Sequence, residues 1–276
     1  IGGTTGTVNA GLFMGGNDAG GSCLACNEEY NGTSWASGGA LAQGTDFLTA
    51  TGTQNAASAF GGRESGRPAS GFVCNRHYDG SSWSAAGGSL SVGKYASGGT
   101  GTQNATLAFG GYTAPSANGY QTPKGCTEEY NGSSWSEQND MSTARRELAG
   151  AGIQTAGLAF GGRVPSTSYA NTEEYDGSSW TASGALGTAR QDGGSAGVQT
   201  NAIYFSGDIV PGSQSVLTEG YNGTSWSSLP NVASGRSQGG SAGSAAAGLF
   251  FGGGAGGNAT EEFTGSTLQS KTITTS

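Results

Sequence analysis

The sequence predicts an all-β fold in which six similar units form the sectors of a closed ring. A hydrophobic segment that ends in Phe-Gly-Gly, or in a close variant of it, recurs with its anchor residue at Met14, Phe60, Phe109, Phe160, Phe205 and Phe251. These anchors are 46, 49, 51, 45 and 46 residues apart. Periods of this length are typical of stacked or radial repeats, because one unit cannot bury its hydrophobic faces alone.

Aromatic residues downstream of each anchor keep the same register. A tyrosine follows at position 30, 78, 130, 175 or 221, with Phe263 in the sixth unit. All five tryptophans lie five residues after these tyrosines, at 35, 83, 135, 180 and 226, and Leu268 takes their place in the sixth unit. Each unit therefore carries its own core residues, which argues against disorder even though only 11% of the residues are charged.

The order of these signals resembles the kelch repeat over the whole chain. In that family, a hydrophobic strand ending in Gly-Gly precedes a strand with Tyr-Asp or Tyr-Asn, and a tryptophan follows. The resemblance implies a six-bladed kelch-type β-propeller with four antiparallel strands in each blade. We place the blades at about 1–46, 47–95, 96–146, 147–191, 192–237 and 238–276 of a single domain. The chain spans one turn of the repeat, so we expect the ring to close without strand exchange.

The first strand of each unit is predicted in the segments rich in Gly, Ala, Ser and Thr, such as 98–103 and 193–199. Strands that converge on a central axis have little room, and glycine in a strand marks close backbone approach. The second strands, such as Ala105–Phe109, carry larger apolar residues that we expect to pack between blades. The Gly-Gly that follows can adopt positive φ and lead the chain out of the sheet.

The third strand of five units ends in Asn-Gly or Asp-Gly, at 31–32, 79–80, 131–132, 176–177 and 222–223. This dipeptide predicts a short hairpin turn, because both residues tolerate left-handed φ. The fourth strand then begins near the tryptophan.

Glutamate pairs precede the tyrosine at 28–29, 128–129, 173–174 and 261–262. Adjacent strand residues point to opposite faces, so one pair cannot flank a substrate as the two carboxylates of a glycosidase do. We expect one glutamate of each pair to meet an arginine of the series Arg145, Arg190 and Arg236, or to cap backbone amides.

The four cysteines do not predict a metal site. Cys26, Cys74 and Cys126 occupy one repeat position, and equivalent third-strand positions on adjacent blades are roughly 15 Å apart from strand spacing. A disulfide needs Cα atoms within about 7 Å. Only Cys23 could pair, with Cys26 or with Cys74, and buried small apolar thiols are the favoured interpretation.

Neither catalytic residues nor a cofactor are predicted. His77 is the only histidine, so it cannot rebuild the copper site of the galactose oxidase propeller, and a serine or cysteine triad would also have to use it. The net charge of −8 gives no basic footprint for nucleic acid. No apolar run is long enough for membrane insertion.

Length variation indicates where a ligand binds. The distance from tryptophan to the next anchor is 25 or 26 residues, whereas that from anchor to tyrosine varies from 12 to 21. The variable loops therefore join the second and third strands and lie on one face, where recognition usually occurs. The longest loops supply our candidate binding residues, which are Arg63, Arg67, Phe72, Arg76, His77, Tyr112, Tyr120 and Lys124. The four cationic residues of unit two would form a basic patch for an anionic or sugar ligand. The alternative is a solvated rim with ordinary ion pairs.

Copies of the form AFGG…TEEYNGSSW resemble the kelch-like repeats of virion and tail-fibre proteins of bacteriophages. This resemblance implies a non-enzymatic binding or structural module that is extracellular or on a virion surface. Its partner would be a cell-surface glycan or receptor, or another virion protein. The alternatives are a secreted carbohydrate-binding or galactose-oxidase-like enzyme-associated propeller domain, and an intracellular adaptor.

Overall fold

A computed structural model describes residues 2–18, 20–64, 72–113, 122–210, 212–254, 259–265 and 268–271, with only the backbone described in the last segment. These residues form β-strands, turns and loops. Within them, there is no helix with the length and apolarity needed to cross a membrane.

Six four-stranded antiparallel sheets form the blades. From first to fourth, the strands are Gly2–Thr7, Ala10–Gly15, Asn27–Tyr30 and Trp35–Ser37 in blade 1; Thr49–Thr53, Ala56–Phe60, Asn75–Tyr78 and Trp83–Ala85 in blade 2; Gly98–Thr102, Ala105–Phe109, Thr127–Tyr130 and Trp135–Gln138 in blade 3; Ala149–Ile153, Ala156–Phe160, Thr172–Tyr175 and Trp180–Ser183 in blade 4; Gly194–Val198, Asn201–Phe205, Thr218–Tyr221 and Trp226–Leu229 in blade 5; Gly240–Gly243, Gly248–Phe251, Thr260–Phe263 and Leu268–Lys271 in blade 6. Short two-stranded ribbons join Lys94–Tyr95 to Tyr112–Thr113, Arg163–Val164 to Thr167–Ser168, and Asp208–Val210 to Ser213–Gln214.

The sheets are arranged as a closed six-bladed β-propeller. Each sheet takes its four strands in chain order from one repeat. Each first strand packs against the first strands of both neighbouring blades, including blade 6 against blade 1. At that last join, the ring of Phe251 lies 6.4 Å from that of Phe13 and 4.6 Å from that of Trp35, between centroids. The predicted fold and its closure without strand exchange are confirmed.

The Asn-Gly turns differ from the predicted hairpin. Strand pairing ends at Tyr30 and Trp35, so the loop has four residues, and of the dipeptide only Gly32 has positive φ, at 91°. The Asn31 Oδ1 atom accepts hydrogen bonds from the backbone N–H groups of Thr33 and Ser34, both at 2.9 Å. The dipeptide marks a hairpin, as predicted, but the Asn31 side chain, and not a primed two-residue turn, closes the loop.

The first glutamate position of the motif pairs with a buried cation, as predicted. Four such pairs are Lys94–Glu128, Arg145–Glu173, Arg190–Glu219 and Arg236–Glu261. All eight side chains are buried, and Lys94 shows that lysine can replace arginine there. Blade 2 lacks both partners, because Thr45 stands in the cation position and Arg76 in the glutamate position.

The second glutamate position links neighbouring blades at four of the six joins. The tyrosine hydroxyl of one blade donates to the glutamate of the preceding blade, in the pairs Tyr78–Glu29, Tyr175–Glu129, Tyr221–Glu174 and Tyr30–Glu262. The last pair closes the ring. Gly220 removes the acceptor in blade 5, and blade 6 correspondingly carries Phe263, which has no hydroxyl.

Two further polar contacts cross the blade joins. The indole N–H groups of Trp180 and Trp226 donate to hydroxyls of the preceding blade, those of Thr127 and Thr172, each at 2.9 Å. A glutamine after the first strand also reaches back, and Gln103 donates to the carbonyl oxygens of the preceding blade at 3.1 and 2.7 Å. Gln54, Gln154 and Gln199 make the equivalent bonds.

The four cysteines are free thiols in the structure. Neither pairing considered for Cys23 forms, and its Sγ atom lies 3.6 Å from the carbonyl oxygen of Arg63. All four are only half-buried, so the expectation of buried apolar thiols was wrong in degree. Cys26, Cys74 and Cys126 directly precede a third strand, and Cys23 lies in the loop before it. Solvent reaches part of each side chain there.

Candidate functional site at the mouth of the central channel

The repeated residues have structural contacts, so the positions that differ between copies are the candidates for function. One position, thirteen residues before the anchor, holds Phe47, Ala96, Glu147, Asp192 and Gln238. The position before it holds Asp46, Tyr95, Arg146, Gln191 and Ser237. A third, three residues after the anchor, holds Asn17, Arg63, Tyr112, Arg163, Asp208 and Gly254. We call the first set the inner ring, and all three sets together the channel mouth.

The inner ring has an unusual backbone. Its five residues have φ between 51° and 62°, a left-handed region that non-glycine residues seldom enter. Backbone N–H groups link them in series, since Ala96 donates to Phe47, Glu147 to Ala96, Asp192 to Glu147 and Gln238 to Asp192, at 2.8–3.0 Å. Such backbone strain persists only where surrounding structure enforces it, and it is concentrated at functional sites.

The inner ring lines one end of the central channel. The channel encloses a cavity of about 290 Å³, whose wall is otherwise built from the small residues of the first strands. The ring lies where those strands begin, on the face that also carries the loops between second and third strands. The predicted recognition face and the channel opening therefore coincide.

An arginine–carboxylate pair forms the blade 2 part of the mouth. The Nε and Nη2 atoms of Arg63 donate to the two carboxylate oxygens of Asp46 at 2.8 and 3.0 Å. The Asp46 side chain is only 1% exposed, whereas that of Arg63 is 38% exposed. The guanidinium carbon lies 4.5 Å from the ring centroid of Phe47. The hydrogen bonds that Arg63 donates to Asp46 raise the pKa of Arg63, so its guanidinium stays charged and is partly exposed to solvent.

Two buried tyrosines continue the mouth toward blade 4. Tyr95 and Tyr112 pair in a short ribbon, and their ring centroids are 5.5 Å apart. Phe47 contacts Tyr95 edge-on at 6.1 Å. The guanidinium of Arg146 lies over Tyr112, 4.2 Å from its centroid, in the geometry of a cation–π contact. Aromatic faces and arginines thus alternate along this part of the mouth.

One buried carboxylate in blade 4 forms ion pairs with two arginines. Glu147 accepts from Arg146, and also from the Nε atom of Arg163 at 2.5 Å and its Nη2 atom at 3.3 Å. The Glu147 side chain is 4% exposed, against 14% for Arg146 and 18% for Arg163. The carboxylate is therefore deeper than the guanidinium groups that cover it.

Two neighbouring carboxyl groups have raised pKa values. Burial, then the charge of Glu147 and a hydrogen bond shared with it, raise the pKa of Asp192 well above its usual range. Burial also raises the pKa of Asp208. Both carboxyl groups are therefore protonated more readily here than in water.

The structure divides the residues that the sequence predicted as a binding site. Arg63 and Tyr112 belong to the channel mouth. Phe72 and Lys124 lie on the same face, where their backbone N–H groups each donate at 2.9 Å, Phe72 to Gly62 and Lys124 to Gly111. Arg67 and Tyr120 lie outside the described residues.

Arg76 and His77 lie apart from the mouth, in the third strand of blade 2. The His77 ring packs edge-on against Tyr130 of blade 3, with 5.6 Å between centroids. Burial lowers the pKa of His77, so its neutral form is favoured. It does not supply the positive charge that a basic patch with Arg63 would require.

Several mouth residues escaped the sequence interpretation, namely Asp46, Phe47, Tyr95, Arg146, Glu147, Arg163, Asp192 and Asp208. Variation in loop length pointed to the loops between second and third strands. Most of these residues lie instead in the segment that joins one blade to the next, whose length is nearly constant. The signal that finds them is residue variation at fixed repeat positions. In the part of the chain that the structure describes, no three His, Cys, Asp or Glu side chains are grouped to hold a metal ion.

The chain resembles a known protein in its fold. No protein-family model matches the sequence, and no curated protein matches it. Among solved structures, the chain is similar to one described as the structure of YjhT, with a TM-score of 0.78 and 12% sequence identity over 98% of this chain and 97% of that chain. The likeness spans both molecules, and at this identity what they share is the six-bladed propeller.

Proposed function

We propose that this chain is a kelch-type, non-enzymatic binding module that holds its ligand at the channel mouth. We further propose that it is a surface or receptor-facing domain of a phage virion or tail fibre, with a cell-surface glycan as partner. The observation that carries the binding role is the separation of repeated from variable residues. Motif residues tie the blades together, whereas the most variable positions converge on one opening.

The chemistry of the mouth suits a glycan. Phe47 is half-buried and offers an apolar face, and Arg63 beside it is held by a buried carboxylate. Binding sites for small ligands combine aromatic surface with a few oriented polar groups. Because Asp46 holds Arg63 through both Nε and Nη2, the remaining N–H groups of Arg63 point in fixed directions, which favours recognition of hydroxyl or anionic groups.

A glycan array probed with labelled, multivalent propeller tests this function. We expect binding to fall at least about tenfold in Phe47→Ala, since an aromatic contact is lost, and about 1.4 kcal/mol corresponds to tenfold. Ala96 has the same backbone conformation in blade 3, so alanine is compatible with the site. The matched control is Ile153→Ser, which changes a side chain that is 52% exposed at the opposite end of a first strand.

The control should bind as the parent chain does. Equal binding by Phe47→Ala and the parent chain would contradict a site at the mouth. Absence of binding to every glycan, and to intact cells, would contradict the receptor-facing role.

A further inference from the structure

Two facing side chains of blade 6 hold a buried arginine between them. Phe250 of the second strand is paired directly with Glu261 of the third, so both side chains lie on one face of the sheet. The guanidinium carbon of Arg236 lies 4.5 Å from the Phe250 ring centroid, and its Nη2 atom forms an ion pair with Glu261. Its Nη1 atom donates to the carbonyl oxygen of Ala259 at 2.8 Å. The equivalent arginine, ring and glutamate of blade 5 are Arg190, Tyr204 and Glu219.

Blade 1 repeats the ring and the acceptors of this arrangement. Phe13 is paired directly with Glu28 across the same two strands. Cys26 directly precedes the third strand, as Ala259 does in blade 6. The Cys26 carbonyl oxygen accepts from the Gly15 N–H group at 2.9 Å, which is also the length of the equivalent bond in blade 6. Blade 1 therefore places a ring, a carboxylate and a carbonyl oxygen as they are placed around Arg236.

The two blades differ in exposure and in charge balance. Glu28 is exposed and Phe13 is partly exposed, whereas Glu261 is 3% exposed and Phe250 is fully buried. The ion pairs made by the lysines and arginines that the structure describes do not include Glu28. Blade 1 thus presents an uncompensated carboxylate beside an aromatic ring, and solvent reaches both.

A guanidinium group matches this pair better than a compact cation does. It offers planar N–H donors to a carboxylate and a flat face to a ring, and Arg236 uses both at once. In blade 3, where the cation is Lys94, the residue opposite the glutamate is Ala108 and not an aromatic. The ring of Phe13 therefore favours arginine over lysine.

The backbone around Arg236 indicates that the ligand is a peptide. The Ala233 N–H group, three residues before the arginine, donates to the Oε2 atom of Glu261 at 2.8 Å, while Oε1 contacts the guanidinium. One short segment thus satisfies both oxygens of the carboxylate. Glu28 has the same two oxygens, and a segment with this spacing can bind both.

We propose that Phe13, Cys26 and Glu28 form a site on blade 1 that binds an arginine side chain of an extended peptide. The guanidinium lies against the Phe13 ring and pairs with Glu28, and a peptide N–H group three residues earlier donates to the same carboxylate. This site lies outside the channel mouth, and the inference does not depend on the proposed glycan-binding role.

Fluorescence anisotropy with a labelled peptide tests the charge requirement. The peptide Val-Ala-Ser-Gly-Arg copies residues 232–236 of this chain, and its control carries citrulline, which has nearly the shape of arginine without the charge. We expect the citrulline peptide to bind at least about tenfold more weakly, because the charge-assisted bonds to the carboxylate are lost.

Variants of blade 1 test the two sides of the site. Glu28→Gln should weaken binding of the arginine peptide at least about tenfold, and Phe13→Leu should weaken it about threefold, since the cation–π contact is lost. Glu137→Gln removes an exposed carboxylate from the outer strand of blade 3, and this matched control should bind as the parent chain does.

Alkylation by iodoacetamide locates the bound peptide. Burial and then the charge of Glu28 raise the pKa of the Cys26 thiol, which places this thiol beside the site. Cys126 holds the same repeat position in blade 3 and is equally half-buried, but Lys94 pairs with the glutamate there. With peptide at ten times its dissociation constant, alkylation should slow about tenfold at Cys26 and remain unchanged at Cys126.

Three results would overturn the inference. They are equal binding of the arginine and citrulline peptides, including failure of both to bind, undiminished binding to Glu28→Gln, and equal protection of the two cysteines. The citrulline comparison uses the parent chain, so it decides the matter even where a variant folds poorly.

Discussion

At the scale of the residue, tyrosine hydroxyls show what single atoms contribute to the blade joins. Tyr175 donates to Glu129 at 3.0 Å, and burial followed by this bond raises its pKa. The equivalent hydroxyl of Tyr130 is buried without a partner, because His77 replaces the glutamate and presents its ring edge-on. The tyrosine hydroxyl therefore contributes differently to stability in two neighbouring blades.

Substitution of these two tyrosines by phenylalanine should change the free energy of unfolding by different amounts. Tyr175→Phe should lower the free energy of unfolding by about 1 kcal/mol, since a made hydrogen bond is lost. Tyr130→Phe should leave it unchanged or raise it slightly, because removal of an unpaired buried hydroxyl relieves a desolvation cost. Urea unfolding of both variants measures the difference, and an equal loss in both would contradict the assigned contacts.

At the scale of the element, the hairpin loops between third and fourth strands show how one turn accepts two residues. Asn131 and Asp176 each accept two backbone N–H bonds through Oδ1, at 2.8–3.0 Å. These bonds, chiefly from the backbone of Ser179, lower the pKa of Asp176 to about 2. Asp79 behaves alike, with a pKa of about 2.

The double variant Asp79→Asn/Asp176→Asn should reduce the loss of stability in acid. The folded pKa lies below the ordinary value of 3.8, so these carboxylates stabilise the fold above about pH 4 and lose that effect as pH falls toward 2. Asparagine keeps the same turn without titrating. Thermal unfolding between pH 5 and 2 checks this, and identical pH profiles for parent and variant would contradict it.

Some of these elements could be predicted from the sequence, and others could not. Strand order, glycine turns and the Arg145–Glu173 type of pair followed from the spacing of motif residues. The four-residue loop at Asn31 did not, because side-chain capping competes with a primed turn. The channel mouth could not be predicted from motif spacing either. Left-handed φ at Phe47 or Glu147 has no local sequence signal.

At the scale of the whole molecule, the joins between blades are unequal. The join of blades 5 and 6 keeps a hydrogen bond from the Ser195 N–H group to Ser241 Oγ at 2.8 Å. It lacks the glutamine and tyrosine bonds found at other joins, since Ala245 replaces the glutamine and Gly220 faces Phe263. Thr218 has no donor for its buried hydroxyl. Stacked rings hold this join instead, with Phe205 and Phe250 5.6 Å apart between centroids.

Restoring one polar tie should strengthen that join. Ala245→Gln should raise the free energy of unfolding by about 1 kcal/mol, because its amide can donate to blade 5 as Gln199 donates to blade 4 at 3.0 and 2.7 Å. Gln199→Ala is the matched variant and should lower it by a similar amount. Urea unfolding midpoints measure both changes. An unchanged midpoint in Ala245→Gln would contradict the expectation that a missing hydrogen bond weakens this join.

The position of the ligand is tested most directly by hydrogen exchange with and without the glycan that binds best on the array. We expect slower exchange on binding for the ring-linked amides of Ala96, Glu147, Asp192 and Gln238. We expect unchanged exchange in the turns after the first strands, at 53–55, 102–104, 153–155 and 198–200. Protection confined to those turns or to the fourth strands would contradict a binding site at the channel mouth.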